Sequence, residues 1–169
     1  MEFKLPETKV TEYLENFGIK ALIDKRKELL VAAAANEFHA MIRKFNLYLA
    51  DESDYNSDSA ALYAAIEAAA INQHPTTVKY LIDTLGFQTC FSKLALILLE
   101  NHSSDGLKYA IETQFPSSLS WTMKADVLIY LVKDFSEKKF SVTKVAELVI
   151  KFCKMAKWTV GDIHYTGHP

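Results

Sequence analysis

An all-α fold, an α-solenoid of stacked helix pairs with little or no strand, is predicted by three observations on this 169-residue chain. The first is that Asn36, Asn72 and Asn101 each close an alanine- or leucine-rich run and each precede a second amphipathic run after the same short gap. The stretches read Leu29-Leu30-Val31-Ala32-Ala33-Ala34-Ala35-Asn36, Ala65-Ile66-Glu67-Ala68-Ala69-Ala70-Ile71-Asn72 and Leu94-Ala95-Leu96-Ile97-Leu98-Leu99-Glu100-Asn101. Asparagine suits such a site because it tolerates the left-handed backbone that ends many helices. The second observation is that an apolar residue followed by a base recurs six positions later, at Ile42-Arg43, Val78-Lys79 and Leu107-Lys108. The third is composition: 50% hydrophobic residues with only five Gly and four Pro favour long helices and short connectors over turn-rich strands.

The elements follow in chain order. Pro6 suits the first position of a helix whose stripe is Val10, Leu14 and Phe17 and which Gly18 ends, an N-terminal cap over 1–23. Asp24 is placed to cap the first repeat, whose second helix runs from Phe38 to Leu49 and buries Met41, Ile42, Phe45 and Leu49. Residues 50–59 break the pattern and read as a loop, with Asp58 or Ser59 capping the alanine-rich helix that ends at Asn72. Pro75 opens the next helix, Val78, Leu81, Ile82 and Leu85 form its buried stripe, and Gly86 closes it. Thr89 and then Ser103, Ser104 or Asp105 offer caps for the third pair, with Pro116 just beyond its end. Two longer helices follow, Trp121 to Phe135 and Ser141 to Lys157, joined by Ser136-Glu137-Lys138-Lys139. Met123, Val127, Leu128, Leu131, Val132 and Phe135 are expected to face Val145, Leu148, Val149, Phe152 and Cys153, closing the open end of the stack. The expected organisation is one helical domain over 1–157, with three divergent repeats in 24–116, a C-terminal helix pair in 117–157, and a tail or the start of a further region at 158–169.

The middle unit, Ala69-Ala70-Ile71-Asn72-Gln73-His74-Pro75-Thr76-Thr77-Val78-Lys79-Tyr80-Leu81-Ile82, resembles the ankyrin repeat. That family's helix pair carries a double alanine, a short turn and an apolar-basic-aromatic run. The stretches around Leu30–Phe45 and Leu98–Ile111 look like weaker copies, and the asparagines, 36 and 29 residues apart, bracket the family's period of roughly 33 residues. The family's Thr-Pro-Leu-His opening is absent, and Glu37, Gln73 and His102 stand where its turn glycine belongs. The resemblance implies ankyrin-like stacking and contacts along the first-helix row and its leading loops, at Lys27, Asp58, Tyr63, Ser92 and Glu100. It also implies a protein partner, since helical arrays of this kind bind proteins. Divergent ankyrin-like arrays occur in proteins that bacteria deliver into host cells, so an effector role is part of what the resemblance implies.

Reaction chemistry is not legible. Asp54-Tyr55-Asn56-Ser57-Asp58 copies three ligand positions of a helix-loop-helix calcium site, but Ser59 and Ala65 stand where the glycine and bidentate glutamate belong. His39, His74, His102, His164 and His168 form no catalytic set, and no phosphate loop or nucleophile elbow is present. Cys90 and Cys153 read as reduced core residues. No enzyme activity, metal or cofactor is expected. The start lacks a charged-then-apolar leader, and no apolar run reaches the roughly 20 residues of a membrane span, so an intracellular, cytoplasmic protein is expected. A formal charge of −2 disfavours general nucleic-acid binding. Residues 133–157 nonetheless hold seven lysines against Asp134, Glu137 and Glu147, a local +4. A solvated helix face is the plainer reading of that run, with RNA or acidic-membrane contact as its functional alternative. A protein-interaction module is the reading these residues favour, and a substrate-holding module of an enzyme is the other alternative.

Overall fold

A computed structural model of the chain describes residues 7, 9, 12, 16, 25–50, 55–86 and 89–159, apart from the side chains of 45–50 and 55–58. The helices are α1 (Arg26–Ala35), α2 (His39–Ala50), α3 (Tyr55–Ile71), α4 (Pro75–Leu85), α5 (Phe91–Glu100), α6 (Ser104–Gln114), α7 (Trp121–Glu137) and α8 (Val142–Ala156), and no strand occurs among the described residues. The fold is all-α. The chain divides into two compact units, Met1–Thr89 and Cys90–Pro169, so the third helix pair belongs to the second unit.

The pairs α1–α2, α3–α4 and α5–α6 are joined by one turn used three times. In each, the residue after the asparagine is left-handed: φ is 60° at Glu37, 58° at Gln73 and 53° at His102. The peptide N–H groups of these residues donate to Ala34, Ala70 and Leu99 carbonyls, and those of Phe38, His74 and Ser103 donate to Ala33, Ala69 and Leu98 at 2.9 Å each. This is the paired 5→2 and 6→1 closure that satisfies the last carbonyls of a helix. The asparagines do a different job from the one expected. Asn36 and Asn101 stay at φ −115° and −104°. Their side-chain amides, like that of Asn72, donate back to the carbonyls of Ala32, Ile97 and Ala68 at 2.7–2.8 Å. Strain therefore falls on Glu37, Gln73 and His102.

In the first unit α1 runs along α3, and each helix also packs on the partner that follows it. Ala33, Ala34, Ala65 and Ala69 are fully buried, which is how two helices approach closely without large side chains between them. The expected stripes of α2 and α4 are buried at Met41, Ile42, Val78, Leu81, Ile82 and Leu85, with Pro75 at the start of α4 and Gly86 at its end. His39 ties α2 to α4, its ring stacked on Tyr80 at 5.5 Å and its Nε2 2.6 Å from the buried Thr77 hydroxyl. His74 ties the two turns together, reaching the Ala35 carbonyl at 3.0 Å and the Glu37 carboxylate at 2.6 Å. Both neighbours are acceptors, so both ring nitrogens must donate for both contacts to be hydrogen bonds. At the start of α2 the Glu7 carboxylate accepts from the Met41 N–H at 2.6 Å, supplying a cap from a distant part of the chain.

Some boundaries differ from expectation. The helix α3 begins at Tyr55, so Asp58 and Ser59 lie inside it and part of the expected 50–59 loop is helical. Extending an alanine-rich helix by a few polar residues is cheap once nucleation is complete, and an acid near the N-terminus favours the helix dipole. Residues 55–58 of the stretch compared with a calcium loop are helical, and Asp54 lies outside the described residues. Thr89 does not cap α5; its hydroxyl donates to the Gly86 carbonyl at 2.6 Å, and Cys90 takes the capping position. The expected stripe residues Val10, Leu14, Phe17 and Gly18, the cap Asp24 and the histidines 164 and 168 lie outside the described residues.

The second unit is organised around aromatic edges. Phe91 meets Phe115 at 4.8 Å and Phe152 at 6.1 Å, and Phe152 meets Trp158 at 5.2 Å, all near-perpendicular. Such edge-to-face contacts add to burial because ring edges are positive and ring faces negative. Trp158, placed in a tail by sequence, is thus a core residue; its peptide N–H donates to the Cys153 carbonyl and Lys157 takes the left-handed turn before it.

Candidate interaction surface

The hairpin of α7 and α8 is built by two serine caps and one strained turn. Ser120 accepts from the Met123 N–H at 3.2 Å and Ser141 from the Lys144 N–H at 3.1 Å. Between them Lys139 turns the chain at φ 63°. The inward stripe, Val127, Leu131 and Phe135 on α7 with Val145, Leu148 and Phe152 on α8, is buried as expected. Met123 and Val132 are not. They are 39% and 43% exposed, because a helix packed against one layer can bury only one stripe and these two lie beyond its edge.

A second apolar face therefore looks outward. Ile129 is 64% exposed, Val142 88% and Ile150 55%, and Val142 and Ile150 line, with Val132, a groove of about 650 Å³. Its lining includes Phe140, Val145 and Val149, and Ser136 is its one polar side chain. The Ser136 hydroxyl already donates to the Val132 carbonyl at 2.7 Å, so the groove asks nothing polar of an occupant. Lysines 133, 138, 139, 154 and 157 of the same helices and turns are exposed, as are Glu137 and Glu147. Sequence reading missed this face because Ile129, Val142 and Ile150 were left out of the stripes. The signal was present: α7 and α8 carry more apolar positions than one packed face can use.

A polar cluster lies elsewhere in this unit. The buried Ser92 hydroxyl donates to Asp134 at 2.7 Å, and Cys90 Sγ is 3.5 Å from that hydroxyl. Tyr130 oxygen accepts from the Ser92 N–H at 3.4 Å. Burial alone would raise the Cys90 thiol, but hydrogen bonds from Ser92, the Lys93 peptide and Tyr130 outweigh it and leave it below the ordinary value. Burial pushes Tyr130 up against hydrogen bonds that work the other way, and burial raises Cys153. Both cysteines were expected in the core, but Cys90 is exposed and Cys153 half-buried, and neither is in a disulfide.

The residues assigned to contacts by sequence differ in exposure. Lys27 and Glu100 are exposed, whereas Tyr63 and Ser92 are 5% and 1% exposed and present almost no surface. Asp58 lies in α3, with its side chain outside the described set. Ser92 and Glu100 sit at opposite ends of α5, about 12 Å apart along the axis. Among the described residues no group of three or more His, Cys, Asp or Glu stands where it can hold a metal ion. None of the described helices is long and apolar enough to cross a membrane. In comparisons with protein-family models, curated proteins and solved structures, nothing matches this chain.

Proposed function

We propose that this chain is a protein-interaction module, built as an ankyrin-like helical array whose principal contact surface is the outer face of the α7–α8 hairpin. The observation that carries the reading is the exposure of Val132, Val142 and Ile150 around one apolar groove. Scattered surface apolar residues are ordinary, but a contiguous set flanking a concavity marks a binding site in proteins that otherwise keep such patches small. The threefold left-handed turn supports the repeat reading, since one closure recurs at Glu37, Gln73 and His102 with its hydrogen bonds intact. Lys27 and Glu100 remain candidate secondary contacts on exposed helical surface.

The test places a photoreactive amino acid at Val142, Ile150, Lys27 or Glu100 in turn, followed by crosslinking in cells and identification of adducts by mass spectrometry. A single identified protein captured from Val142 and Ile150 is the expected result. Capture only from Lys27 and Glu100 moves the surface to the first-helix row, and no protein adduct at any site overturns the reading.

A further inference from the structure

The occupant of the groove is specified by what surrounds it. Val142, Val145, Val149 and Ile150 fall on one side of α8 at spacings of three, four and one, and cover about 12 Å of helix, close to two turns. An amphipathic helix lays residues at i, i+3, i+4 and i+7 into a trough of that length. The surroundings are basic: residues 133–157 carry seven lysines against three acids, and one of the acids, Asp134, already accepts from Ser92. Lys138 and Lys139 stand in the turn at the Phe140 end, Lys154 and Lys157 lie beyond Ile150, and Lys133 is on the α7 edge.

Resting on the interaction reading above, we infer that the α7–α8 groove takes an acidic amphipathic helix of a partner protein, its apolar stripe in the groove and its Asp and Glu residues against the lysines. A second copy of this chain is disfavoured, because two such faces would oppose two sets of lysines across an apolar contact. A lipid surface would meet the lysines too, and it is separated from the helix by the vesicle arm of the test below.

The experiment uses the full chain, isotopically labelled and followed by amide chemical shifts. It is titrated with a synthetic helix of about 20 residues bearing Leu at i, i+3, i+4 and i+7 and Glu on the flanks, and with the same helix bearing Lys instead. A third titrant is vesicles of phosphatidylcholine with about 30% phosphatidylserine. The Glu helix is expected to shift amides of α7 and α8 and to bind at least about tenfold more tightly than the Lys helix, an advantage that falls as salt rises. Lys138→Glu with Lys154→Glu should cut Glu-helix binding at least about tenfold, and Val142→Asp should abolish it with the circular dichroism unchanged. Equal binding of the two helices overturns the inference. So does vesicle binding without helix binding, or sedimentation as a dimer that Val142→Asp dissociates. Crosslinks from Val142 to a protein segment that is neither helical nor acidic, or crosslinks from Lys27 and Glu100 alone, sink the acidic helix while leaving an interaction role intact; absence of crosslinks at all four positions sinks both.

Discussion

At the scale of single residues, the turn geometry separates two roles that sequence had merged in asparagine. His102 carries the left-handed φ of 53°, and Asn101 carries a side-chain bond to the Ile97 carbonyl at 2.8 Å. A non-glycine residue in that region costs about 1–2 kcal/mol, part of which glycine returns through its freer unfolded chain. His102→Gly should therefore stabilise the protein by about 0.5–1 kcal/mol, and Asn101→Gly should destabilise it by a similar amount. Urea titration of both variants checks this, and the reverse order would return the conformational role to asparagine. The cysteines give a second test. The thiolate is the nucleophile, the Cys90 thiol is held below its ordinary value and Cys153 is raised above it. As pH rises, alkylation resolved by peptide mass should switch on at Cys90 before Cys153. Tyr130→Phe removes one of the hydrogen bonds that favour the Cys90 thiolate, so its onset should move to higher pH. An unmoved onset would mean that Tyr130 does not tune this thiol.

At the scale of elements, the helices were legible and the use of their outer faces was not. Asn36, Asn72 and Asn101 announced three helix ends, and Pro75 and Gly86 were read correctly because each acts through a local backbone preference. The start of α3 was misread because Asp58 and Ser59 are good caps in isolation, whereas cooperative extension of an alanine helix to Tyr55 depends on the whole segment. Tyr63 and Ser92 were misplaced for a related reason: which face of a helix is covered depends on neighbours that spacing along one element does not reveal. Burial within a close helix contact is better anchored. Ala69 is fully buried on α3, which runs along α1, so Ala69→Leu has nowhere to put three extra carbons. It should cost roughly 1–3 kcal/mol, read as a lower thermal midpoint. A midpoint equal to that of the parent would show the contact to be looser than described.

At the scale of the whole molecule, the balance between inward and outward apolar surface decides whether the α7–α8 face is a working surface or simply spare hydrophobicity. Val142 and Val145 lie three residues apart on α8, yet one is 88% exposed and the other 7%. A charge at the buried position removes a core methyl cluster and strands an unpaired carboxylate, a cost that rivals the total stability of a domain this small. A charge at the exposed position costs little, since surface changes usually stay within about 0.5 kcal/mol. Val145→Asp should thus lose cooperative unfolding of the second unit, whereas Val142→Asp with Ile150→Asp should unfold like the parent protein. The same double variant removes two of the apolar side chains around the groove, so fluorescence of a hydrophobic dye bound to the native parent should fall sharply in it. Undiminished dye binding would place the main exposed apolar patch elsewhere on the chain. A large loss of stability in the double variant would mean that the two side chains support the fold, and the outward face would then be part of the core rather than a surface offered to a partner.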